Sequence, residues 1–131
     1  MRYWRHIRLT IILLAGFVLL VACGNGAPLA PGEQATLVCS EECAARGQCG
    51  TLTDDTKVIL GQDSGPIVRG HNRFFVENVI VTVEETTQRD LIGALNGVPL
   101  LEATPFPHIF YRVTQAEIAK TAWVSGWCIV R

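Results

Sequence analysis

Cysteine placement is the strongest constraint on how this 131-residue chain folds. Cys39, Cys43 and Cys49 lie close together in the sequence, and Cys128 lies near its end. These four cysteines can pair in three ways, and the sequence alone does not choose among them. A bond to Cys128 closes a loop of about 80 residues or more, worth about 4 kcal/mol on a chain-entropy account. If Cys128 is bonded to one of the other three cysteines, the fold returns its last residues to the segment around residues 39–49.

Residues 1–22 are predicted to be a signal helix for export. Arg2, Arg5 and Arg8 make a basic start, and a short apolar run, LTIILLAGFVLLVA, fills residues 9–22. A basic segment followed by a short apolar run is typical of a secretory signal. A permanent transmembrane helix is the weaker interpretation, because spanning a bilayer takes about 20 helical residues. Export places the cysteines in an oxidising compartment, where disulfides persist.

The apolar run ends in Leu20-Val21-Ala22-Cys23, which resembles the lipobox of bacterial lipoproteins. The resemblance implies that Cys23 is lipidated and becomes the first residue of the mature chain. The expected location is then the cell membrane or outer membrane, with the protein lipid-anchored on the extracytoplasmic face. Two or three acyl chains, at about 0.8 kcal/mol per buried methylene, anchor a protein almost irreversibly. An ordinary secreted protein, with Cys23 as a disulfide partner, is the alternative.

Residues 23–35 are predicted to hold the lipidated cysteine and a flexible linker. The stretch from Gly24 to Gln34 (GNGAPLAPGEQ) is rich in glycine and proline and has one charged residue, Glu33. Such a composition does not bury a face and is typical of linkers. At about 3.3 Å per residue, the linker allows the domain to sit at most roughly 35 Å from the bilayer.

Residues 36–54 are predicted to form a cysteine-rich helical segment. Ser40 is a good N-cap, the acidic residues Glu41 and Glu42 suit the first turn, and Gly47 can end the helix. The helix is expected to be one or two turns long and to be linked by disulfides.

The pairing of the four cysteines is constrained by this helix. Cys39 and Cys43 are four residues apart and lie near each other on a helix surface, which favours different partners. We expect one of them to pair with Cys49 and the other with Cys128. A zinc site is the alternative, but the spacing lacks the C-x2-C pair common in structural zinc sites, and the compartment favours oxidation. No metal and no cofactor is expected.

Residues 55–131 are predicted to be mainly β. Runs rich in β-branched residues, such as 57–60 (KVIL) and 79–83 (VIVTV), alternate with Gly, Pro and Asn clusters. Two helical interruptions are predicted, beginning at Thr87 and Thr114, because each of these threonines is followed three residues later by an acid. Several short strands between turn signals indicate a small barrel or sandwich.

The C-terminal end of the chain resembles the last hairpin of bacterial SH3 domains. The match covers Phe110–Val113 (FYRV) and Lys120–Ile129 (KTAWVSGWCI), with Cys128 in place of the usual tyrosine. The resemblance implies a small SH3-like β-barrel over residues 55–131. Thr56–Leu60 would be its opening strand.

Two departures from that family affect this expectation. Residues 86–108 are longer than the small barrel needs and are interpreted as an inserted loop. The replacement of a tyrosine by Cys128, together with the cysteine-rich helix before the barrel, suggests that a disulfide supplies the closure that the ring would have given.

The SH3 resemblance implies a non-catalytic binding module for cell-envelope components, either a cell-wall peptide or an envelope protein. The candidate ligand-binding residues are Phe106, Trp127, Tyr111 and His71. Phe106, which lies between two prolines, and Trp127 are expected to be exposed, because loops on a rigid scaffold carry binding residues more often than strands do. Trp123 is expected in the core.

Other functional classes have less support in the sequence. With 11 Lys+Arg against 12 Asp+Glu and no basic cluster beyond residue 8, the chain is not expected to bind nucleic acid. An enzyme is disfavoured because the sequence has no nucleophile elbow, phosphate loop or HExxH motif. Glu84 and Glu85 are adjacent in a predicted strand and point to opposite faces, so they cannot form a carboxylate pair. A structural or assembly subunit of an envelope complex is the alternative function.

Overall fold

The structure, a computed structural model, describes residues 27–66, 70–92, 94–95, 98–99 and 104–131. Cys23, the lipobox and the predicted signal lie outside these ranges, as do parts of the predicted inserted loop. None of the helices in the described ranges has both the length and the hydrophobicity of a membrane-spanning segment.

The described residues form ten strands, one α-helix and two 3₁₀ helices. In chain order they are β1 (Gln34–Leu37), α1 (Glu41–Ala45), β2 (Cys49–Thr51), β3 (Lys57–Gly61), β4 (Arg73–Val76), β5 (Ile80–Leu91), β6 (Ala94–Leu95), β7 (Val98–Pro99), β8 (Phe106–Gln115), a 3₁₀ helix (Ala116–Ile118), β9 (Lys120–Ser125), a second 3₁₀ helix (Gly126–Cys128) and β10 (Ile129–Val130).

The protein is mainly β, as the sequence predicts, and its largest unit is a five-stranded antiparallel sheet. The strand order is β10-β1-β5-β8-β9. A second sheet has the order β2-β3-β4, and β6 pairs with β7. These sheets do not close into a barrel, so the prediction of a small closed barrel over residues 55–131 is wrong. The predicted opening strand at Thr56–Leu60 corresponds to β3, which belongs to the second sheet.

Strand β5 replaces the helix that the sequence predicts at Thr87. The strand runs to Leu91 and pairs with β8 along its whole second half, from Glu85 opposite Arg112 to Leu91 opposite Phe106. Pairing with β8 gives this segment regular inter-strand hydrogen bonds, and this tertiary context outweighs the local capping signal. The second predicted interruption is a single 3₁₀ turn after β8.

The ordered domain begins earlier than the predicted linker allows. Leu29 is 5% exposed and packs in the core. The Gly32 N–H donates to the Val83 carbonyl at 2.7 Å, and the Val83 N–H donates to the Glu33 carbonyl at 2.8 Å. Strand β1 then pairs with both β10 and β5. The composition of this stretch indicates a linker, but long-range pairing with β5 makes its second half part of the domain.

The two larger sheets meet where β3 ends against β9. The Gln62 N–H donates to the Trp123 carbonyl at 3.2 Å, and the Trp123 N–H donates to the Gln62 carbonyl at 2.8 Å. A Cβ on Gly61 would lie 2.8 Å from the same Trp123 carbonyl oxygen. Contacts that short are essentially not observed, so the sheets can approach this closely only because residue 61 is glycine.

The main core lies between the five-stranded sheet, the second sheet and α1. Trp123 is buried as expected, but it packs with Phe110 in a separate small cluster, because successive residues of β9 point to opposite faces. The main cluster contains Leu29, Ala35, Leu37, Cys43, Ile59, Phe75, Val81, Val83, Tyr111, Val113, Ala122, Val124, Cys128 and Ile129.

Helix α1 forms where the sequence predicts it. The Ser40 hydroxyl oxygen accepts from the Cys43 N–H at 3.1 Å, and Gly47 follows the helix with a φ of +71°. Two disulfides are present, as the sequence analysis predicts. Cys39 pairs with Cys49, and Cys43 pairs with Cys128, which ties α1 to the second 3₁₀ helix.

Candidate functional site

Three rings from two distant segments pack together at the beginning of β8. Phe106 and His108 are two residues apart on β8 and therefore point to the same side of the strand. Trp127, in the second 3₁₀ helix, stacks on His108 with ring centroids 3.6 Å apart and an angle of 23° between the planes. Phe106 lies 6.4 Å from Trp127. We call these three residues and Arg46 the Trp127 cluster.

Arg46 covers the outer side of this cluster. It is the C-cap residue of α1, and its guanidinium carbon lies 4.7 Å from the centroid of the Trp127 ring and 5.8 Å from that of Phe106. A cation over an aromatic face at these distances is attracted by the ring quadrupole. Arg46 also forms an ion pair with Glu42, one helical turn earlier, at 3.1 Å. The Arg46 side chain is 47% exposed, so it lies over the rings and remains accessible to solvent.

His108 supports the cluster from inside the protein. This residue is 9% exposed, and its Nε2 lies 2.7 Å from the Ser125 hydroxyl oxygen. The same oxygen accepts from the Trp127 N–H at 3.3 Å. Burial and then the nearby positive charge of Arg46 lower the pKa of His108 to about 4. The imidazole is therefore neutral at neutral pH, and the cluster carries only the charge of Arg46 above it.

The Ser125–His108 pair has the spacing of a nucleophile and its general base. Its surroundings give it a different role. Ser125 is 1% exposed, so a substrate cannot reach its hydroxyl in the folded protein. The hydroxyl also caps the second 3₁₀ helix through the Trp127 N–H. The pair thus fixes the position of Trp127.

The structure brings together two of the four predicted ligand-binding residues. Phe106 and Trp127 are neighbours, although Phe106 is the half-buried first residue of β8 and not part of a loop. Tyr111 is buried in the main core, and its hydroxyl accepts from the Leu29 N–H at 3.1 Å, so its side chain is not available to a ligand. His71 lies exposed in the loop between β3 and β4.

Arg46, His108 and Ser125 are the residues of this site that the sequence analysis did not propose. In the sequence, Arg46 has only the features of an ordinary helix-forming residue, and Ser125 is not part of a recognisable functional motif. A signal for His108 does exist, because residues 106, 108 and 110 are all rings at every second position. That alternation indicates one face of a strand, but the flanking prolines of Phe106 favoured a loop.

Metal binding has no evident place in the described part of the chain, since no group of three or more His, Cys, Asp or Glu residues there could hold an ion. Comparison with protein families, with curated proteins and with solved structures gives no match for this chain. The assignment of the candidate site therefore rests on the geometry of its residues.

Proposed function

We propose that this chain is a lipid-anchored, extracytoplasmic binding module without catalytic activity, and that its ligand is a component of the cell envelope. The lipobox at Leu20-Val21-Ala22-Cys23 supports the anchor. The buried Leu29 lies six residues after Cys23, so the tether is short. At about 3.3 Å per residue, it holds the domain within roughly 20 Å of the bilayer, nearer than the predicted linker implies.

A relation to bacterial SH3 domains is part of this proposal. The segments that resemble the last SH3 hairpin, Phe110–Val113 and Lys120–Ile129, lie largely on β8 and β9, which pair antiparallel as the two strands of a hairpin do. A 3₁₀ turn precedes β10.

The Trp127 cluster is the proposed binding surface. The observation that carries this assignment is that two half-buried rings, Phe106 and Trp127, lie side by side under an exposed cation, Arg46, on a buried support. Rigid aromatic side chains and arginine supply much of the binding energy at protein interfaces, because they bury a large area with little loss of conformational entropy. A cell-wall peptide offers carboxylates to Arg46 and apolar groups to the rings.

Capture on isolated peptidoglycan tests this assignment. The mature wild-type protein is incubated with purified sacculi, and the bound fraction is compared with that of Phe106→Ala. We expect the variant to bind about five- to thirtyfold more weakly, which corresponds to about 1 to 2 kcal/mol, the usual loss at an interface anchor.

Phe74→Ala is the matched control. Phe74 is also a partly exposed ring with a cation over it, Lys120 at 5.0 Å, but it lies on β4 in the second sheet. This variant is expected to bind like the wild type. Equal binding of all three proteins would contradict the assignment. Failure of the wild type to bind sacculi, together with a specific crosslink to an envelope protein, would instead support a structural or assembly subunit.

A further inference from the structure

The two disulfides of this protein are in direct contact with each other. Cys43 Sγ is bonded to Cys128 Sγ and also lies 3.3 Å from Cys49 Sγ, which is bonded to Cys39. A disulfide sulfur carries no hydrogen, so this contact is not a hydrogen bond. It places Cys49 next to a second possible partner.

The two disulfides differ in their exposure. Cys43 and Cys128 are both 0% exposed, whereas Cys39 and Cys49 are partly exposed. Thiol–disulfide exchange needs a thiolate that can reach a disulfide sulfur. An external thiol can therefore attack the Cys39–Cys49 bond in the folded protein, but not the bond to Cys128.

We propose that Cys39–Cys49 is a thiol-exchange site that passes reduction to the buried disulfide through Cys49. A thiolate from a small thiol attacks Cys39 Sγ and forms a mixed disulfide with it, and Cys49 leaves as a thiolate. Cys49 Sγ then attacks Cys43 Sγ. A Cys43–Cys49 bond forms, the Cys43–Cys128 bond breaks, and the electron pair leaves on Cys128.

A second thiol completes the reaction by displacing Cys39 from the mixed disulfide. Two external thiols are thereby oxidised to one disulfide, and their two protons end on Cys39 and Cys128. The protein keeps one disulfide, Cys43–Cys49. We call this path the Cys49 relay.

The Cys49 relay acts on the proposed binding surface. The bond that it breaks spans 85 residues and joins α1 to the second 3₁₀ helix, whereas the bond that it forms is local to α1 and β2. Arg46 caps α1, and Trp127 precedes Cys128, so the broken bond is the covalent tie between the two sides of the Trp127 cluster. This consequence rests on the proposed function, whereas the relay itself does not.

The decisive test uses single cysteine variants without any external reductant. Cys39→Ser leaves Cys49 as a free thiol beside Cys43, and the matched control Cys49→Ser leaves Cys39 free instead. Both proteins are held at about pH 8, near the ordinary pKa of a thiol, then acidified, unfolded, alkylated and mapped by mass spectrometry. We expect about tenfold more alkylation of Cys128 in Cys39→Ser than in the control. Equal alkylation of Cys128 in the two variants would overturn the relay.

Limited reduction of the wild type by glutathione tests the relay without a substitution. Cleavage after Glu42 and after Arg46 places Cys39, Cys43 and Cys49 on separate peptides, so each of the three pairings gives a different set of crosslinked peptides. We expect a peptide crosslinked through Cys43 and Cys49. Accumulation of protein with Cys39 and Cys49 both alkylated and the buried disulfide intact would overturn the relay.

Sacculus binding by the same glutathione-treated protein separates the relay from the proposed function. Weaker binding than that of the oxidised protein supports control of the Trp127 cluster, and unchanged binding overturns that control. If neither form binds sacculi, the proposed function fails, while the peptide map still decides the relay.

Discussion

Acidification is expected to weaken this fold through one buried histidine. Burial and the charge of Arg46 lower the pKa of His108 from 6.5 to about 4. The folded state keeps the imidazole neutral, whereas the unfolded chain protonates it near its ordinary pKa. The resulting stabilisation is complete above pH 6.5 and is lost as the pH falls toward 4. At about 1.4 kcal/mol per pKa unit, the full effect is about 3 kcal/mol, of which about 2 kcal/mol is lost by about pH 4.5.

Urea denaturation of the oxidised protein, followed by circular dichroism, measures this effect. The free energy of unfolding is determined at about pH 7 and about pH 4.5 for the wild type and for His108→Gln. Glutamine stays neutral and can still hydrogen-bond to Ser125. We expect the wild type to lose about 2 kcal/mol more than the variant on acidification.

Other titrating groups do not disturb this comparison. Hydrogen bonds lower the pKa of Asp54 and Asp63, and partial desolvation by neighbouring atoms lowers the pKa of His71, but all three groups are present in both proteins. Their contributions therefore cancel in the difference. If the wild type and His108→Gln lose the same stability, His108 is hydrated in the folded protein and the reasoning from its burial is wrong.

Three further predictions concern the anchor, the core and the contact between the sheets. Mass spectrometry of the mature protein should find an acylated Cys23, and Cys23→Ser should stay unprocessed or appear in the soluble fraction; an unmodified Cys23 in the mature wild type would refute the lipobox assignment. Trp123→Ala should cost about 3 to 5 kcal/mol in urea denaturation, more than Phe106→Ala; the reverse order would mean that the buried and exposed faces are misassigned. Gly61→Ala should lower the free energy of unfolding by about 1 to 3 kcal/mol, because the added Cβ would lie 2.8 Å from the Trp123 carbonyl oxygen. The control Gly65→Ala should leave the stability nearly unchanged, because nothing lies within 4 Å of its Cβ. Similar losses of stability in both variants would count against the tight contact.

Helix α1 shows what local sequence is able to determine. The bond from the Cys43 N–H to Ser40 spans three residues, so the residues that make it are near one another before the chain folds. The capping pattern at Thr87, a threonine followed three residues later by an acid, also predicts a helix, but this segment forms part of strand β5. There, β8 offers a pairing partner to the whole segment, and a pairing between residues so far apart in sequence has no local signature.

The cysteines were predictable as a group but not in detail. Their even number after Cys23, together with the predicted export signal, indicates disulfides. Which of Cys39 and Cys43 reaches Cys128 depends on the side of α1 that faces the core. Cys43 is the buried residue of that helix, and the second 3₁₀ helix packs against it.

The sequence by itself determined the β class, the capped helix and two rings of the proposed surface, Phe106 and Trp127. Only the tertiary structure placed Arg46 over those rings, His108 beneath them, and Leu29 in the core where a linker was expected. Caps and turns depend on atoms a few residues apart, so they can be read from the chain. Stacking and burial depend on which distant strands pair, and that choice is made by the apolar surface that the whole domain buries at once.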